Sequence, residues 1–205
     1  MHAGSLAARL RDRDDDNGTT PVGAWSTVGH PAVADILADE AFDFVVLDGE
    51  HSENTIEDLA DGVRAVEASD GDADPVVRVG SSDAAEIRRV LDLGVAGLIV
   101  PQVESIEEAR DAVEAAHYPP DGVRGVAAAR AANYGRSFES YVAGADPLTV
   151  VQVESEAAVE NAGAIAAVAS DMGLSPEAAR GLAIVSRAAG LVAGNVDLVA
   201  LGLDY

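Results

Sequence analysis

Asp48-Gly49-Glu50-His51 places three ionisable side chains within four residues, directly behind the apolar run 42–47. That run is too continuous for a half-wet strand and reads as a strand buried on both faces. In α/β folds the C-terminal end of such a strand is where ligands bind, because the loops there are free of packing duty. Asp-Gly also suits a plain turn, and Glu-His a solvated loop. The other strand ends carry polar groups as well: Arg78 near the end of Val76-Val77-Arg78-Val79, then Gln152 and Glu154 closing the run 148–154. All thirteen basic residues are arginine. Without lysine no Schiff base can form except at the N-terminal amine, so carbonyl activation needs a metal or an arginine. Without cysteine there is no disulfide, thiolate zinc site or Cys nucleophile.

The elements that must position these groups alternate. Residues 1–20 read as an N-terminal arm with a short helical piece at Leu6, Ala7 and Leu10, and residues 21–205 as a single domain. Strands are expected over 22–26, 42–47, 76–79, 96–103, 148–154 and 196–201. Helices are expected over 31–41, 53–68, 83–93, 106–116, 156–168 and 177–193, from apolar residues at intervals of three and four. Residues 123–138, rich in Gly, Ala and Arg, read as a long loop. Such alternation is the signature of parallel βα units, wound into either an open sheet or a closed barrel. No Gly-x-Gly-x-x-Gly turn or phosphate loop follows any strand, which favours the barrel. The expected fold class is therefore α/β, a TIM-type (β/α) barrel, incomplete at six recognisable strands. An eightfold barrel takes about 250 residues, and this chain has 205.

The formal net charge of -23 points to concentrated salt, where self-repulsion is screened, as in a halophile. It disfavours binding to nucleic acid. No apolar run approaches the length of a membrane span, and the N-terminus lacks a signal-type core, so a cytoplasmic protein is expected.

Asp48-Gly49-Glu50-His51, Arg78, Pro101-Gln102-Val103, Tyr118-Pro119-Pro120-x-Gly122-x-Arg124-Gly125, Tyr134-Gly135 and Gln152-Val153-Glu154 together resemble, in order and spacing, the metal-dependent pyruvate aldolases of the HpcH/HpaI aldolase/citrate lyase family. The resemblance runs from about Val22 to Val168. It implies a usually oligomeric, modified TIM barrel that cleaves 4-hydroxy-2-oxo acids to pyruvate and an aldehyde. It implies further that Glu154 is a ligand of a divalent metal, Mg²⁺ or Mn²⁺, with Co²⁺ as a further option. Arg78 would face the enolate oxygen and the pyruvate carboxylate, and Gln152 would help position the ligand. His51 would move the proton of the 4-hydroxyl, with Asp48 holding the imidazole, while Glu50 would bond a metal-bound water. The expected partners are a small 2-oxo acid and further copies of the same chain. His30 and His117 are expected at the surface or in packing, and Arg124 and Arg130 as bridges between loops or subunits.

The departure from the family lies downstream. Members carry a further strand whose loop supplies a second acidic ligand. No such strand is recognisable here, which leaves Asp171 as the nearby substitute and makes two adjacent strands look absent. Two alternatives follow: a catalytically impaired member lacking that ligand, or an acyl-CoA ester lyase of the citrate lyase branch.

Overall fold

The computed structural model describes residues 6–7, 21–171 and 182–186. Six strands, β1 (Gly23–Ser26), β2 (Phe44–Asp48), β3 (Asp74–Arg78), β4 (Gly97–Val100), β5 (Leu148–Val153) and β6 (Leu182–Ser186), form one sheet in sequential order. Every pairing is parallel. Helices α1 (Pro31–Asp39), α2 (Ile56–Ala68), α3 (Ala84–Leu91), α4 (Ile106–Ala116), α5 (Phe138–Gly144) and α6 (Glu156–Asp171) lie between them. A doubly wound sheet reverses its strand order at a switch point, and this one never does. The fold class is α/β, with the wall of a TIM-type (β/α) barrel.

The strands read as unbroken apolar runs because both faces are covered. Val45, Leu47, Val77, Leu98, Val100 and Val151 face the helices, packing with Leu59, Val63, Ile87, Val90, Val113 and Ile165. The alternate residues Val46, Val76, Ile99, Leu148 and Val150 form a separate inner cluster, as the period of two along a strand requires. Leu6 and Ala7 of the N-terminal arm belong to this inner cluster and are buried there, so part of the arm is core.

Local signals set the helix starts. Thr55 and Asp58 form a reciprocal capping box on α2, and Ser105 and Glu108 do the same on α4. Asp83 caps α3 by accepting from the amides of Ala85 and Glu86. His30, exposed, caps α1 through Nδ1, and the half-buried His117 ring bonds the Val113 carbonyl.

Three expectations change. Residues 177–193, expected as one helix, contain β6, which pairs along its whole length with β5. Leu-Ala-Ile-Val-Ser has an apolar, β-branched centre, and pairing with the free edge of β5 overrides its weak helical period. One strand expected to be absent is thus present. The strand expected at 196–201 lies outside the described residues. The loop 123–138 is more ordered than its composition suggests: a 3₁₀ turn spans Arg130–Gly135, and α5 begins at Phe138.

Arg124 explains that order. It is buried, pairs with Asp92 at 3.1 Å, and lies 4.7 Å and 5.7 Å from the ring centroids of Tyr118 and Tyr141. It therefore bridges loops within one chain, joining the end of α3, the Tyr-Pro-Pro turn and α5. Arg130 does likewise, pairing with Glu67 and bonding the Leu93 carbonyl.

Candidate active site

Strand register sets the site. Asp48 is the last residue of β2 and stands beside Arg78, the last residue of β3. Both follow the inner-facing Val46 and Val76 by two residues, so both side chains enter the barrel mouth. They are 0% and 2% exposed respectively. Arg78 donates from Nε to Asp48 Oδ1 at 2.9 Å and from Nη2 to Oδ2 at 2.5 Å, a bidentate pair. The backbone amides of Glu50 and His51 also donate to Asp48 Oδ1, at 2.9 Å and 3.2 Å. Burial pushes the Asp48 pKa up, but the Arg78 guanidinium, these two amides and the Trp25 indole more than offset it, leaving the carboxyl below its ordinary value. Asp48 is accordingly an anion at neutral pH.

Gly49 makes the turn possible. Its amide donates to the Arg78 carbonyl at 2.8 Å, and a Cβ there would sit 2.7 Å from that same oxygen. Beyond the turn, the hydroxyl of Ser52 and the side-chain Nδ2 of Asn54 both donate to the Asp48 carbonyl, which ties the loop back to its own strand.

Glu50 faces Arg78 from the other side, Oε2 lying 2.7 Å from Nη1. The two atoms are an ion pair in contact but are not aligned as a hydrogen bond, and both are buried. The imidazole of His51 is largely exposed, its Nε2 lying 3.6 Å from Glu50 Oε1. Asp48, expected to hold that imidazole, is instead saturated by Arg78 and touches His51 only through the backbone amide. Glu50 is the carboxylate beside the ring.

On the far side of the mouth, Gln152 and Glu154 continue the inner parity of Leu148 and Val150. Gln152 is 4% exposed and its Oε1 has no hydrogen-bond partner among the described residues. Glu154 Oε1 accepts from the Gln102 amide at 3.3 Å. A buried amide oxygen without a partner, two residues from a carboxylate, is a hard-oxygen donor pair that fits a divalent cation in kind. Among the described residues there is no group of three His, Asp or Glu that could hold a metal.

Asp171 does not supply the missing donor. It is the last residue of the sixteen-residue α6, whose first residue is Glu156. At 1.5 Å per residue this puts its backbone about 22 Å along the axis from the end where Glu154 lies, beyond the reach of two carboxylates sharing one ion. Its side chain lies outside the described residues.

Two site residues have no role assigned from the sequence, although Gln102 stands in the Pro101-Gln102-Val103 motif. Trp25, at the end of β1, donates from Nε1 to Asp48 Oδ2 at 3.3 Å, and Arg78 Cζ lies 5.0 Å from its ring centroid. Gln102 bonds Glu50 through its side chain and Glu154 through its backbone. Their signals were modest: the only tryptophan of the chain, placed at a strand end, and a polar residue two beyond the end of β4.

The model of the HpcH/HpaI aldolase/citrate lyase family matches residues 22–203. A 4-hydroxy-2-oxovalerate aldolase of Novosphingobium aromaticivorans is 40% identical over 166 residues, 80% of this chain and 61% of that protein. A 2-keto-3-deoxy-L-rhamnonate aldolase of Klebsiella pneumoniae is 41% identical over 152 residues, 72% of this chain and 56% of that protein. The chain thus spans about three-fifths of the length of these relatives. The crystal structure of a family protein from Burkholderia cenocepacia superimposes with a TM-score of 0.74 at 31% identity, covering 88% of this chain and 83% of that one. With the match covering most of the chain and the fold agreeing, the protein belongs to the HpcH/HpaI aldolase/citrate lyase family.

Proposed function

We propose that this chain is a carbon–carbon lyase that cleaves 4-hydroxy-2-oxo acids to pyruvate and an aldehyde. The observation that carries the reading is Arg78: a buried guanidinium at the barrel mouth, locked by Asp48 through two nitrogens and paired with Glu50 at 2.7 Å through the third. A fixed cation at the mouth suits a substrate carrying a carboxylate beside a carbonyl.

In the retro-aldol direction His51, exposed at the mouth beside Glu50, takes the proton of the 4-hydroxyl. The C3–C4 bond then breaks, the aldehyde leaves, and the bonding pair passes through C2–C3 onto the C2 oxygen as an enolate. Arg78 faces that developing negative charge, with Trp25 flanking the guanidinium. Gln152 Oε1 and the Glu154 carboxylate would hold a divalent cation, Mg²⁺, Mn²⁺ or Co²⁺, which when bound supplies the positive charge that polarises the carbonyl. The proton returns to C3 and yields pyruvate.

The lack of a three-residue acidic or histidine group among the described residues favours one alternative, a family member that binds 2-oxo acids without turnover. Incubation with a 4-hydroxy-2-oxo acid and Mg²⁺ or Mn²⁺ in high salt, with pyruvate followed by a coupled dehydrogenase, separates the two. Release of pyruvate supports the lyase. A folded chain that releases none under any of these metals overturns it. The acidic, lysine-free composition supports a cytoplasm rich in salt, and a second copy covering β1 and β6, the outer strands of the sheet among the described residues, is the oligomer this reading favours. No described helix is long and apolar enough to cross a membrane.

A further inference from the structure

Two carboxylates precede His51 in its loop, Asp48 and Glu50, and they are not equivalent toward its ring. Asp48 Oδ1 accepts from Arg78 Nε and from the backbone amides of Glu50 and His51, while Oδ2 accepts from Arg78 Nη2 and the Trp25 indole. These donors already fill the roughly four lone-pair sites that a carboxylate offers, so Asp48 has no acceptor to turn toward the imidazole.

Glu50 is held differently. Its side chain is 7% exposed, with Oε2 paired to Arg78 Nη1 at 2.7 Å and Oε1 accepting from Gln102 Nε2 at 3.1 Å. Gln102 is itself anchored, because its backbone amide donates to Glu154 Oε1. Glu50 Oε1 is therefore a fixed oxygen, and it lies 3.6 Å from His51 Nε2. That is an ionic contact, longer than a hydrogen bond, and such contacts at catalytic bases tighten in the working complex. One guanidinium stands here against two carboxylates, so the group formed by Asp48, Arg78 and Glu50 keeps a net negative charge beside the ring. We propose that Glu50 is a positioning residue that holds the His51 imidazole by Nε2 and stabilises its charged form, leaving Nδ1 to take the proton of the 4-hydroxyl. The inference rests on the lyase reading of the site.

The test compares pyruvate release from a 4-hydroxy-2-oxo acid, with Mg²⁺ in high salt, for the wild type, Glu50→Gln, His51→Gln and the double variant. Glu50→Gln lowers kcat about two- to fivefold, the range of one partly exposed ion pair, with KM changed less than about twofold. Without the imidazole there is no ring to hold, so adding Glu50→Gln to His51→Gln changes the residual rate by less than about 1.5-fold. An equal loss in both backgrounds means that Glu50 acts through Arg78, and it overturns the inference. A second readout needs no turnover: in long-range ¹H–¹⁵N spectra the His51 ring, assigned by its disappearance in His51→Gln, moves its nitrogen resonances in Glu50→Gln. Unmoved resonances overturn the inference too, and the spectra decide alone where the His51→Gln rate is too low to measure. Glu50→Asp keeps the charge but ends one methylene short of the ring, and it replaces Glu50→Gln should the latter fail to fold. Resonances that move in a folded chain releasing no pyruvate sink the lyase reading and leave Glu50 as the holder of His51. Unmoved resonances in an active enzyme sink the inference alone.

Discussion

Asp48 and Arg78 occupy paired positions at the ends of adjacent parallel strands and meet through two parallel hydrogen bonds, both side chains buried. Such a pair is costly to split, because the charge left behind keeps its desolvation penalty. Asp48→Ala should lower the unfolding free energy by about 3–5 kcal/mol, read from urea denaturation in high salt. A loss well under 1 kcal/mol would show that water reaches the guanidinium.

The same pair sets a pH dependence. The Asp48 carboxyl titrates below its ordinary value when folded, because its hydrogen-bond donors outweigh the effect of burial. Its contribution is therefore fully present above the unfolded value of about 3.9 and is lost as pH falls through the lower, folded value. Denaturation curves from pH 5 down to pH 2.5 should fall more steeply for the wild type than for Asp48→Asn. Parallel curves would contradict the shift.

Gly49→Ala adds a methyl group 2.7 Å from the Arg78 carbonyl oxygen, where the backbone cannot give way without disturbing the amide bond to that oxygen. The expected loss is about 1–3 kcal/mol, typical of overpacking, together with weaker binding of pyruvate. Thermal melts and calorimetry check the two effects separately.

Arg124→Lys keeps the charge but loses the planar group held between Tyr118 and Tyr141. Residues 123–144 should then become more open to hydrogen exchange, while the exchange of β2 and β3 stays unchanged. Equal protection in both proteins would mean that the tyrosine contacts contribute little.

Glu154→Gln should weaken Mn²⁺ binding at least tenfold, measured by titration, and a chelator should abolish pyruvate release until metal is restored. Retained Mn²⁺ affinity in the variant would move the cation site elsewhere.

The part of the site legible from sequence is the part fixed by strand ends. Asp48, Arg78 and Gln152 each follow an apolar run, and parallel pairing carries them to one mouth whatever the helices outside do. Gln102 stands in a motif visible in the sequence, but its bonds to Glu50 and Glu154, like the contact of Trp25 with Asp48, depend on a left-handed turn and on neighbours across strands that no local pattern encodes. Strand β6 was missed because an apolar run flanked by alanines satisfies helical and extended periods alike, and only the unpaired edge of β5 decides between them. Asp171 stands in Ser170-Asp171-Met172, which resembles a remnant of the family loop that carries the second acidic ligand. A helix that continues three residues past its expected end at Val168 carries it away from the mouth.

Leu6 and Ala7 are buried in the inner cluster with Val46, Val76, Ile99, Leu148 and Val150, the strand residues that precede Asp48, Arg78 and Gln152. These two residues help fill the inner lining of the sheet, and what is done to them is felt beneath Asp48 and Arg78. Trimming the first twenty residues to tidy an expression vector would wet the lining beneath Asp48 and Arg78. A purification handle is therefore safer kept clear of that segment by a generous spacer.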